Sequence, residues 1–143
     1  GAPGRTDGIV RWKNLTAVVE VKGLSKSAGE KDAAQLEKWV TEYMLEHGQT
    51  PNGLLLVNAW RTKPLDKRTQ IAFPAQMVPF SANRGHCLAT TTQLLTAAVS
   101  APSARKRSAF LKSLFETAGV LEGWDWSEIL QEVAEPQRAN STM

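Results

Sequence analysis

The sequence predicts an α/β domain: a mixed β-sheet core, a central helix from about Ala28 to His47 packed on it, and helical additions at the carboxy end. Three observations carry that expectation. Two β-type runs, DGIVRW and LTAVVEVKG, are separated only by Lys13 and Asn14, and Asn tolerates the positive φ that tight hairpin turns need. Leu36, Trp39, Val40, Tyr43 and Met44 then recur at helical intervals. The following run, GLLLVNAW, is short and continuously apolar, as a central strand covered on both faces would be.

The elements follow in order. Residues 1–6, rich in Gly and Pro, read as a flexible lead-in, either an expression remnant or an excised interdomain linker. After the hairpin, Ser27 with Glu30 three residues on has capping-box spacing, and Gly48 supplies the helix stop. A polar loop, RTKPLDKRTQ, leads out of the apolar strand. The two prolines of IAFPAQMVPF obscure the next stretch, but HCLATTT reads as a short strand that meets the helical run QLLTAAV. From Ser103, the residues Phe110, Leu111, Leu114, Phe115 and Ala118 form one face of a helix that stops at Gly119, and Ser127 caps a shorter helix to Ala134. The polar tail at 136–143 reads as mobile.

At 143 residues the chain suits one domain able to bury a core without disulfide or metal staples. No apolar run is long enough for a bilayer and no charged leader precedes one, so a soluble cytoplasmic protein is expected. One cysteine and two histidines cannot form an internal disulfide or fill the usual four-ligand structural zinc site, so any metal must be held by carboxylates. A formal charge of +3 permits a polyanionic partner without demanding one.

The chemistry lies in the second strand. Side chains alternate along a strand, so Glu20 and Lys22 share a face with Thr16 and Val18. A two-residue turn at Lys13 and Asn14 pairs Trp12 with Leu15, Arg11 with Thr16, Ile9 with Val18 and Asp7 with Glu20; a three-residue loop would move Asp7 to the other face. Two carboxylates directly opposite one another are destabilising unless something positive stands between them. Magnesium takes one or two carboxylates plus waters and substrate phosphates, so Asp7 and Glu20 make half of such a cage, with Lys22 beside it. That combination suits phosphodiester hydrolysis.

At these residues the chain resembles the PD-(D/E)xK, or restriction-endonuclease-like, nucleases: TDG on one strand and EVKG on the next carry the acidic residue and the E-x-K pair. The resemblance implies a restriction-endonuclease-like core and metal-dependent cleavage of DNA, with Asp7, Glu20 and the Val21 carbonyl holding Mg²⁺ or Mn²⁺ and Lys22 as the catalytic lysine. It further implies a site role for Gln35, which precedes Trp39 by four residues on the following helix. Threonine replaces the proline expected before Asp7, and the family's first helix and strand have almost no room before residue 7. The chain is then either the carboxy-terminal piece of a longer protein or one in which those elements are replaced.

Lys26 and Lys31 flank this motif in sequence, while Arg61, Lys63, Lys67 and Arg68 crowd the loop after the apolar strand and make the better DNA-facing cluster; Arg105, Lys106 and Arg107 lie near a helix start. Trp39, Tyr43 and Met44 are expected in the core, and His86 and Cys87 to have packing roles. DNA is the expected partner, with RNA open and a second copy or an upstream domain as further candidates. The competing reading is a non-catalytic nucleic-acid-binding or assembly module on the same fold.

Overall fold

The computed structural model describes residues 6–100 and 103–127. Strands β1 (Gly8–Trp12) and β2 (Leu15–Gly23) form the hairpin, helix α1 (Glu30–His47) follows, and β3 (Asn52–Asn58) returns parallel to β2. A long connection with two short 3₁₀ turns leads to α2 (Val78–Asn83), β4 (Cys87–Thr90), α3 (Thr91–Ser100), α4 (Ala104–Glu116) and β5 (Gly119–Val120). The sheet is five-stranded and mixed, in the order β1-β2-β3-β4-β5, with the first pair antiparallel and the others parallel.

Helices cover both faces. Val18, Leu55, Val57 and Leu88 pack against Leu36, Trp39 and Val40 of α1, while Val19, Leu54, Cys87 and Ala89 pack against Ala97 of α3 and Phe110 of α4. Burial on both faces explains why β3 reads as a continuous apolar run rather than an alternating one. Among the described residues no helix is long and apolar enough to cross a membrane.

The hairpin has the expected register, Trp12 opposite Leu15 through Ile9 opposite Val18, but Lys13 rather than Asn14 takes the positive φ, 55°. Ser27 does not cap α1. The N–H of Ala28 donates to the Ala72 carbonyl, which keeps that segment extended, and the cap passes to Gly29, whose N–H donates to the Asp32 carboxylate at 2.9 Å. Gly48 ends α1 in the left-handed region, φ 68°, donating to the Met44 carbonyl.

Three further expectations are corrected. Helix α4 stops at Glu116, not at Gly119, because Thr117 turns extended and the Gly119 N–H pairs with the His86 carbonyl to begin β5. Met44 is exposed and Tyr43 only half-buried, since the buried stripe of α1 ends at Val40. Thr6 is not a loose lead-in residue: its hydroxyl donates to the Val19 carbonyl at 2.8 Å. His86 and Cys87 are buried, as packing roles require, and burial pushes the Cys87 thiol up to about 12. The helix expected from Ser127 to Ala134 lies, beyond Ser127 itself, outside the described residues, as do residues 1–5 and the polar tail.

Candidate active site

Strand β2 outruns β1. The β1–β2 ladder ends at Gly8 opposite Val19, whereas β2 continues against β3 to Gly23 opposite Asn58. Residues 20–23 therefore present an edge that β1 does not cover, and Asp7, one residue beyond the ladder, turns its carboxylate onto it. Its Oδ2 accepts the Val21 N–H at 2.9 Å. The N–H and C=O of a strand residue point to the same edge, so the Val21 carbonyl faces the side on which Asp7 stands. The Val21 side chain, 46% exposed, points away to the opposite face.

Glu20 projects from the α1 face and is 6% exposed. Lys22 is on the same face, with Nζ 3.4 Å from Glu20 Oε1 and its side chain about a third exposed. The electrostatics differ between the two carboxylates. Burial, and then the charge of Asp7, push the Glu20 carboxyl above its usual range, against the opposing influence of the Lys22 ammonium and the Trp39 indole. The Val21 N–H, above all, holds Asp7 below its usual range.

The sign of the Glu20 shift sets a test. The folded chain holds this proton more tightly than the unfolded one, so the ionised carboxylate costs stability at neutral pH, and the cost vanishes as pH falls through the raised pKa to the ordinary 4.5. Glu20→Gln should therefore melt above wild type at neutral pH in EDTA, by ~2–4 °C for each kcal/mol relieved. The two melting curves should converge in acid; a variant less stable than wild type at neutral pH would contradict this account.

Gln35 is half-buried on α1, one turn before Trp39, and among the described residues no hydrogen bond joins it to Glu20 or Lys22. Trp39, one turn after Gln35, is 8% exposed and packs in the core, as its helical spacing requires, and its indole is the weakest of the influences on the Glu20 carboxyl.

The basic residues divide. The loops after β2 and β3 run side by side: the Arg61 N–H donates to the Leu24 carbonyl and the Trp60 N–H to the Lys26 carbonyl. The Arg61 side chain lies over Gly23, its Cδ 3.6 Å from where a Cβ would stand, and Lys63 Nζ is 5.4 Å from the Trp60 ring centroid. Lys26 and Arg61 are exposed, so the pair and Lys63 gather at the carboxyl ends of β2 and β3, beyond Lys22. Parallel sheets commonly bind ligands at this end. Lys31 is exposed on the first turn of α1. Arg68 belongs to the scaffold instead: its guanidinium donates to the Lys63 and Arg61 carbonyls and to Asn58 Oδ1. Arg105, Lys106 and Arg107 sit on α4, across the sheet from Glu20.

Among the described residues no three His, Cys, Asp or Glu side chains converge as a metal cage. The edge offers two carboxylates and a backbone carbonyl, which suits an ion that keeps several waters and shares substrate phosphate oxygens, and does not suit structural zinc. No protein-family model, curated protein or solved structure matches the chain.

Proposed function

We propose that this chain is a metal-dependent nuclease of the PD-(D/E)xK type that hydrolyses DNA phosphodiester bonds. The observation that carries the reading is that Asp7, bound to the Val21 N–H, and the Glu20–Lys22 pair occupy the same short stretch of β2 beyond the β1 ladder, next to a basic loop cluster. The hairpin, the α1 crossover and the parallel β3 agree with a restriction-endonuclease-like core.

Asp7, Glu20 and the Val21 carbonyl are the groups that would hold Mg²⁺ or Mn²⁺. Such an ion, when bound, supplies Lewis acidity at the phosphate and lowers the pKa of water. Lys22 brings a partly exposed ammonium to the same place, where it offsets charge that accumulates on the phosphoryl oxygens in the transition state. Lys22 holds the Glu20 carboxylate in position, and Arg61, Lys26 and Lys63 take the neighbouring phosphates.

Cleavage of DNA by the purified chain in Mg²⁺ or Mn²⁺, absent in EDTA, tests the reading, and RNA offered in parallel fixes the substrate class. A folded protein that neither cuts nucleic acid nor binds Mn²⁺ at this edge would overturn it. The competing reading, a binding or assembly module, draws on one observation: Glu20 is paired with Lys22, and Asp7 accepts the Val21 N–H.

Arg61→Ala should weaken DNA binding with little dependence on sequence, and should reduce the slope of log K against log salt by about one unit, the signature of one lost phosphate contact. An unchanged slope would remove Arg61 from the interface.

A further inference from the structure

A groove of about 510 Å³ opens beside the Asp7–Glu20 edge, between β1 and the last turns of α1. It begins at Thr6, next to Asp7, and at Trp39, which packs in the α1-side core with Val18, two residues before Glu20 on the same face of β2. Its volume falls in the range of small-molecule sites. Tyr43 and His47 line it as a ready stack, ring centroids 4.1 Å apart and planes 13° apart. Glu42 and Glu46, one helical turn apart on α1, line it as well.

The charges on the two sides of the candidate site have opposite sense. Beyond Lys22, at the carboxyl ends of β2 and β3, stand Lys26, Arg61 and Lys63. In the groove, two carboxylates stand against the Arg11 guanidinium among the described lining residues. A phosphate backbone is attracted on the first side and repelled on the second. An aromatic stack is a platform for a nucleobase whatever its identity.

We propose that this groove receives the terminal nucleoside of a nucleic-acid strand, so that the scissile phosphate next to it lies at the Asp7–Glu20 edge and the rest of the strand leaves over the basic loops. The inference rests on the nuclease reading. It makes the activity one that works from strand ends: a water oxygen joins phosphorus, the ester P–O bond breaks, and the departing sugar oxygen takes a proton, releasing one terminal unit. A strand continuing through the groove would carry its next phosphate past Glu42 and Glu46.

The test compares a single-stranded DNA with the same sequence closed into a circle. With Mn²⁺, the linear strand should shorten progressively while the circle survives, and Glu42→Lys/Glu46→Lys should raise circle cutting by about tenfold, the effect of roughly 1.4 kcal/mol. In EDTA, the linear strand should bind about tenfold more tightly than the circle, and Tyr43→Leu should narrow that gap. Equal binding and equal cutting of the two forms overturn the proposal and leave the nuclease reading in place. End-preferring binding without any cutting does the reverse, retaining the groove as an end site and removing the nuclease.

Discussion

Lys22→Ala is expected to lower metal-dependent cleavage by about 10²–10³-fold, the usual effect of removing one donor that stabilises transition-state charge. On the proposed reading Glu20→Ala should reduce it at least as far, because it removes both a carboxylate that would hold the metal and the group that pairs with Lys22 at 3.4 Å. The two variants should separate in a binding measurement. Lys22→Ala keeps both carboxylates and should keep Mn²⁺ affinity, whereas Glu20→Ala should lose it, as should Asp7→Ala. Thermal melting provides the control for folding. Activity that survives in both Glu20→Ala and Lys22→Ala, with both proteins folded, would place the chemistry elsewhere on the molecule.

The geometry of the candidate site was legible in the sequence to the extent that it is local. The hairpin register depends on a two-residue turn, and alternation along β2 then dictates that Glu20 and Lys22 leave the same face. What the pattern did not carry was the reach of each side chain. Nothing in a period of two says that β1 stops at Gly8, or that the Asp7 carboxylate bends onto the Val21 N–H instead of standing opposite Glu20. The division of the basic loop was equally hidden, because Arg61 and Arg68 differ only in what lies around them: Arg61 rests over Gly23, and Arg68 is consumed by two carbonyls of its own loop and by Asn58 at the end of β3.

The fold shows the same boundary between local and distant causes. Helix α1 and strand β3 are set by their own patterns. The cap of α1 is not: Ser27 has the right spacing, but the Ala28 N–H is taken by Ala72, 44 positions downstream, and the helix must start after it. The two prolines that obscured residues 71–80 sit where helices accept them, Pro74 before a 3₁₀ turn and Pro79 within the first turn of α2. Strand β5 exists only because the His86 and Leu88 carbonyls accept the Gly119 and Leu121 N–H groups. Such pairings are decided by tertiary contact, to which a local pattern has no access.

Gly53→Ala is expected to destabilise the protein by about 2–3 kcal/mol, the cost of overpacking a core. A Cβ at this position on β3 would lie 2.6 Å from Cδ2 of His86 and 3.0 Å from its Cγ and Nε2. His86 cannot withdraw cheaply. It is 2% exposed, its N–H donates to the Ser81 carbonyl, and its own carbonyl accepts the Gly119 N–H. Its Nε2 lies 3.1 Å from Glu37 on α1, although burial, outweighing that carboxylate, holds the imidazole below its usual pKa. Moving the ring would therefore loosen α1 against the sheet. A melting temperature lower by roughly 5–10 °C should result. Because the clash is with one ring, His86→Ala should absorb much of it, so that the double variant is less destabilised than the sum of the two single ones. Strict additivity in that cycle would show that Gly53 is needed for its backbone rather than for the space it leaves to His86.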